Sequence, residues 1–271
     1  RVMLRSSLDW FVRAIFQGGN RMCVLLIAWK AGTEIPLLVA ANRDESRQRA
    51  SLSPQIVRVE ERRALMPRDQ LAGGTWLGVN DAGLAVAITN RADGTFEPER
   101  PSRGQLPWAA LGLSSAVEAR RMIEQRTRDK TFNSFNLFCA DSRQAWVARW
   151  NGSLQVSELD AGIYVLTNAH DLNELSVPEF VALPWLAGSS SELMRSLQGV
   201  LGDHRGRDGN GYPLCKHGQK YGTVSSTIYF PEPTGGWQMH FSNGNHCTTP
   251  FLQYSLEGDV KPPDADPPLE R

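Results

Sequence analysis

The chain has 271 residues, enough for one large domain with a substantial core or for two small ones. Lys and Arg total 29 and so do Asp and Glu, which leaves no electrostatic footprint for nucleic acid or an anionic membrane and points to a small-molecule partner. No stretch approaches the ~18 consecutive apolar residues of a membrane span, and four scattered cysteines (Cys23, Cys139, Cys215, Cys247) in a chain too large to need staples fit a reduced, cytoplasmic setting better than a disulfide scaffold.

Residues 1–21, "RVMLRSSLDWFVRAIFQGGNR", differ in character from the rest of the chain, being arginine-rich with an amphipathic middle and a Gly-Gly end. They read as a presequence, a propeptide, or upstream sequence joined by a wrongly chosen start, and the last is the expectation. The predicted organisation is an N-terminal extension over 1–22, a single domain over 23–255, and a proline-rich, acidic, loose tail over 256–271.

Within the domain, residues 23–29 and 35–41 are apolar runs separated by "KAGTE", predicting a hairpin of buried strands. "GTWLGVN" and "GLAVAITN" form a second predicted hairpin through Asp81-Ala82-Gly83. From Leu106 to about Arg128 the apolar spacing predicts one helix, and a second helical region is expected near 178–201. Further strands are predicted at "FNLFCA", "AWVARW", "IYVLTN", "STIYF" and "WQMHF". Many antiparallel strands with segregated helices imply an α+β layered domain.

Cys23 has two readings. It is a small buried filler on a strand, or, if the chain begins there after removal of Met22, a nucleophile whose own α-amine (pKa ~7.7–8.0) accepts the thiol proton (pKa ~8.5). The second strand ends in "AANRDE", which gathers Asn42, Arg43, Asp44 and Glu45 where the chain leaves the sheet. These are a solvated loop with an internal ion pair, or a carboxylate that anchors an α-amine and a guanidinium that holds a thiolate or a substrate carboxylate.

Cys215, His217, His246 and Cys247 are residue types zinc accepts, but their spacing matches no known pattern, and adjacent ligands at 246 and 247 point apart on a strand. No metal is expected, and solvated loop residues are the plainer reading. Trp76, Trp108, Trp146, Trp150 and Trp237 read as core more readily than as a ligand pocket. The pairs Gly73-Gly74 and Gly235-Gly236 are turn glycines outside any phosphate-loop setting.

Five motifs in order, "MC" before an apolar strand, "NRDE", "LAGGTWLGVN", "AITNRAD" and "YGTVSST", resemble the NRDE-motif proteins, also called the transport and Golgi organization family. The likeness runs from Met22 to about Phe230. That family resembles the N-terminal-nucleophile hydrolases, which implies a four-layer αββα sandwich. The cysteine branch of those enzymes, with its choloylglycine hydrolases and penicillin V acylases, implies Cys23 as nucleophile and Asp44 as partner of the free amine. Its arginine stands directly before its asparagine, where this chain has Ala41, so Arg43 fills that role only from a displaced position. The likeness further implies oxyanion-stabilising asparagines at Asn90 and Asn168. One departure stands out: where the family commonly reads "YGTR", this chain has Val224, which supplies no charge.

The resemblance implies two functions. The first is a cysteine amidohydrolase acting on the C–N bond of a small-molecule amide through Cys23, Arg43, Asp44, Asn90 and Asn168, with no cofactor. The second keeps the fold without catalysis and binds or hands on haem or a lipid-like metabolite as a carried ligand.

Overall fold

The computed structural model describes residues 23–31, 35–94, 96–175, 177–181, 190–205, 213–232 and 236–257. The expected extension over 1–22, and all but the first two residues of the expected tail, lie outside these residues.

β1 (Val24–Trp29) and β2 (Leu37–Ser46) form the predicted first hairpin, pairing antiparallel with Val24 opposite Asn42. The run "VLLIAW" is apolar without alternation because both faces of β1 are covered. Leu25, Ile27 and Trp29 enter one core, while Val24, Leu26 and Ala28 enter another.

The first sheet has the order β10-β1-β2-β11-β12-β13, where β10 is Gly162–Thr167, β11 Tyr221–Pro231, β12 Trp237–Ser242 and β13 Leu252–Ser255. The second is a meander in chain order: β3 (Ser51–Val59), β4 (Arg62–Asp69), β5 (Leu77–Asn80), β6 (Ala85–Asn90), β7 (Phe135–Ala140), β8 (Ala145–Trp150) and β9 (Leu154–Leu159). Gly83 in the predicted β5–β6 turn has φ +82°, which a glycine adopts without strain.

Three apolar clusters order the layers. Leu25, Ile27, Val39 and Ala41 meet Leu65, Val79, Ala87 and Phe138 between the two sheets. The outer face of the second sheet packs on α1 (Gln105–Ala110) and α2 (Ala116–Asp129) through Leu106, Ala119 and Ile123. The outer face of the first packs on α3 (Pro178–Val181) and α4 (Ser190–Leu201) through Phe180, Leu197 and Leu201. The result is a four-layer αββα sandwich.

The single helix expected from Leu106 to about Arg128 is two helices. Ser115 caps the second, accepting the Glu118 N–H at 3.3 Å, and Glu118 reaches back to the Ser114 N–H at 2.8 Å. This is a capping box in all but one position, and it restarts the helix.

Candidate functional site

Register decides which side chains share a face. Leu25 lies opposite Ala41 on β2 and Leu166 on β10, and all three enter the inter-sheet core. Two residues along, where side-chain direction repeats, the same register brings Asn168, Cys23 and Arg43 into one row. β11 extends it, because Ser225 pairs with Arg43. Thus Asn168, Cys23, Arg43 and Ser225 lie side by side across four strands, where the inter-sheet core gives way to an open cavity.

That cavity has a volume of about 310 Å³, and its wall includes Cys23, Arg43, Asp44, Glu45, Trp76, Asn90 and Arg103. Asn90 sits at the exposed end of β6 and contributes to the wall. Asn168 stands on the other side of Cys23 from Arg43, half-buried and outside the wall, with its carbonyl accepting the Ala92 N–H at 2.9 Å.

The "NRDE" residues divide by strand alternation. Asn42 and Asp44 turn toward the helical layer. Asn42 donates to the Leu201 and Leu214 carbonyls, both at 2.8 Å, and accepts from Ser226 at 2.6 Å, which ties β2 to the end of α4. Arg43 and Glu45 turn to the cavity.

Arg43 is buried, stacks at 4.4 Å on the Trp76 ring, and lies 3.5 Å from the Asp69 carboxylate. Its Nη1 is buried without a hydrogen-bond partner, and so is Ser225 Oγ beside it. An unmet buried guanidinium N–H costs roughly 1–3 kcal/mol or more, and burial, the largest influence on it, lowers the Arg43 pKa. Asp69 receives a closer bond from Arg49 at 2.7 Å, so it does not depend on Arg43.

Cys23 and Asp44 meet through the backbone. The Asp44 N–H points at Sγ at 3.4 Å, and the thiol lies 3.5 Å from the Asp44 carbonyl. The Asp44 carboxylate faces the other way, taking an ion pair from buried Lys216 and a 2.7 Å hydrogen bond from Thr223. Burial first, and the Asp44 charge second, push the Cys23 thiol up to about 12. Lys216 acts on it in the opposite sense.

Lys216 is the residue sequence reasoning missed. Val224 falls in an irregularity where β11 slips register between Thr223 and Ser225, so it has no strand partner. A buried cation does stand at Asp44, and it is Lys216, from the loop before β11.

The glycines of "LAGGTW" also serve the site. A Cβ on Gly74 would lie 2.5 Å from the Gly104 backbone, so only glycine lets the 100–104 loop close against the cavity wall. That loop supplies Arg100 and Arg103 to the wall, and burial followed by the Arg49 charge lowers Arg103 to about 10.

The Arg91 and Asp93 of "NRAD" clamp the strand ends beside the site. Arg91 bonds Asp93 at 2.6 Å, Asp171 at 3.1 Å and Asn136 at 3.1 Å, and Arg149 joins Asp93 at 2.9 Å. The Arg91 hydrogen bond, with help from Arg149, holds Asp93 down to about 2.

A family model described as Transport and Golgi organisation 2 matches residues 22–186. The chain belongs to this family. The mouse Transport and Golgi organization 2 homolog is 31% identical over 141 residues, or 49% of this chain and 50% of the mouse protein. The chain thus spans about half the length of the curated relative it matches. Penicillin V acylase from Agrobacterium tumefaciens superposes with a TM-score of 0.53 at 12% identity, covering 86% of each chain. An N-acylethanolamine-hydrolyzing acid amidase ortholog from Caenorhabditis elegans gives 0.52 at 16% identity, covering 76% of this chain and 92% of its own. At such identities these likenesses speak for the fold alone, and the fold of this family member is of the N-terminal-nucleophile hydrolase type. Among the described residues no helix is long and apolar enough to cross a membrane.

Proposed function

We propose that this family member is a cysteine amidohydrolase acting on a small-molecule amide that carries an acidic group. The observation that supports it is the row Cys23–Arg43–Ser225 at the cavity wall, with a thiol beside a buried guanidinium whose Nη1 has no protein partner. A polar atom left unmet on the wall of a cavity suits a ligand that meets it. The arginine-rich wall agrees: Arg43, Arg49, Arg100 and Arg103 stand against Glu45 and Asp69 on the wall and Glu97 beside it, while the Asp44 carboxylate faces away to Lys216. Arginine forks match carboxylates in a bidentate manner, and the lowered dielectric strengthens the pairing.

With residues 1–22 joined to it, a thiol pushed up to about 12 is not a thiolate at neutral pH, so attack requires a base at hand. In a chain that starts at Cys23, its α-amine is that base. It takes the thiol proton as sulfur bonds to the amide carbon and the carbonyl becomes an oxyanion, with the Asn90 amide on the cavity wall as its donor and Asn168, in the row beside Cys23, reaching it only by turning into the cavity. Collapse breaks the C–N bond, the ammonium returns its proton to the departing amine, and water hydrolyses the thioester with the amine again as base. Asp44 and Lys216 set the field around Cys23.

The test is intact-mass analysis of protein starting at Cys23 after mixing with a panel of N-acyl amino acids. A transient acyl adduct on Cys23, with turnover abolished in Cys23→Ala, supports the reading; no adduct and no turnover across the panel overturns it.

A second reading is favoured by one observation: the Asp44 carboxylate is already engaged by Lys216 and Thr223, as in a site that does no proton chemistry. In it the cavity carries haem or a lipid-like acid, the arginines holding its carboxylates. Haem titration separates the two, since a carrier shows a saturable Soret shift that survives Cys23→Ala.

A further inference from the structure

Around the Lys216 backbone, four side chains converge. His204 follows α4, Cys215 and His217 flank Lys216, and Cys247 lies past the end of β12. Their ligand atoms all lie within 4.8 Å of one another. His204 Nε2 and His217 Nε2 are 3.1 Å apart, His217 Nε2 and Cys247 Sγ 3.1 Å, Cys215 Sγ and Cys247 Sγ 3.6 Å, and Cys215 Sγ and His217 Nε2 3.8 Å.

Zinc held tetrahedrally with Zn–S near 2.3 Å and Zn–N near 2.0–2.1 Å sets its ligand atoms about 3.3–3.8 Å apart. Four of the six separations fall on or within about half an ångström of those edges, and the other two, from His204 to the two sulfurs, stay within 4.8 Å, so His204 closes the set by a small shift toward the ion. The geometry points to a structural zinc site formed by His204, Cys215, His217 and Cys247.

Two neutral imidazoles and two thiolates compensate the ion's charge completely. A closed Cys2His2 set leaves no open position for a substrate, so the role is structural. The surroundings are built to match. Asn245 Nδ2 lies 3.8 Å from Cys215 Sγ and donates to the Lys216 carbonyl at 2.7 Å. Arg47 donates to Asn245 Oδ1 at 3.0 Å and to the Gly218 carbonyl at 2.7 Å. Such outer partners orient ligands and fix their hydrogen-bonding state.

Its consequence is positional. With Cys215 and His217 both bound, the backbone on either side of Lys216 is pinned, and the ammonium is held against Asp44. This holds whether or not Cys23 turns over a substrate.

Sequence spacing leads to the opposite expectation, no metal, because it groups the wrong histidine. His246, in the turn past β12, faces away from Cys247, bonding the Gln198 carbonyl at 2.8 Å and facing Ser226 Oγ at 3.2 Å. Its place is taken by His204, from a segment with no motif.

The experiment is metal analysis of the full chain purified without a histidine tag from zinc-supplemented medium, followed by replacement with Co2+. Expected are one zinc per chain and, with cobalt, the intense visible bands of a tetrahedral ion together with thiolate-to-cobalt charge transfer. Ligand variants His204→Asn and Cys247→Ser should bind cobalt more weakly by more than the roughly 10–100-fold that loss of an outer partner costs. His246→Asn should bind it as the parent does. Substoichiometric zinc with no thiolate–cobalt band in reduced protein overturns the proposal, as does a spectrum unchanged in both ligand variants. A Cys215–Cys247 disulfide that reduction does not convert into a cobalt-binding state also overturns it.

Discussion

Lys216 and Asp44 form an ion pair in which both side chains are almost fully enclosed, and Arg43, one residue before Asp44, is an equally buried cation on the opposite face of the same strand. The two cations differ in what they leave behind when removed. Asp44 would keep Thr223 but lose the ammonium it faces, whereas Asp69 would keep Arg49.

Lys216→Met therefore strands a buried carboxylate and is expected to cost about 3–5 kcal/mol of unfolding free energy. Asp44→Asn in the same background should recover part of that loss. Urea unfolding of the two single variants and the double variant measures it. A Lys216→Met protein within ~1 kcal/mol of the parent would mean that the pair does not hold the fold.

Arg43→Met removes a desolvated cation that lacks a partner for Nη1, and methionine still packs on Trp76. Its effect on stability is expected to be near neutral or favourable by up to ~2 kcal/mol. Binding of an acidic ligand should fall by at least about tenfold, since a charged hydrogen bond contributes roughly 1.5–3 kcal/mol. Arg43→Lys should recover only part of the affinity, because it keeps the charge and loses the fork. Calorimetric titration against thermal melting separates the two effects; loss of stability without loss of affinity would make Arg43 a structural residue.

How far the sequence carries these conclusions depends on the element. The β1–β2 and β5–β6 hairpins were legible because buried runs and turn residues sit next to each other in the chain. β3 and β4 were not, since Pro54, Arg58, Arg62 and Arg68 break any apolar alternation. In the site, Cys23 and Arg43 are read from motifs, but their side-by-side placement is a matter of register, which no local pattern specifies. Lys216 was invisible because it lies outside any helix or strand and finds its partner 172 positions away.

Acid should act on the clamp beside the site. Asp93, held down to about 2 by Arg91 and Arg149, has a folded-state pKa below its unfolded value near ~3.9. Its contribution is thus fully present above about pH 4 and is lost as pH falls toward 2. The carboxylate is about a third exposed, at 32%, so solvent screening reduces that contribution to about 1 kcal/mol. Asp93→Asn should lower stability at pH 7 by about that amount and flatten the pH 4-to-2 limb of the unfolding curve. An Asn variant with an unchanged limb would assign the acid sensitivity to other carboxylates.

Cys23 gives the sharpest contrast. With a peptide bond before it the thiol has no amine to receive its proton, and burial and Asp44 push it up to about 12. The thiolate fraction at pH 8 is then about three orders of magnitude below that of a free cysteine peptide. Alkylation of Cys23 by iodoacetamide, followed by peptide mass mapping, should be slower by a similar factor and rise with pH to beyond 10. The folded state also holds its proton where the unfolded chain has released it, so this group's contribution to stability declines from about pH 9 upward. A chain beginning at Cys23 places an α-amine of pKa ~7.7–8.0 within the same residue, and its labelling should accelerate sharply between pH 7 and 8. Equal labelling rates for chains with and without residues 1–22 would remove the amine as the base and leave the thiol to a binding role.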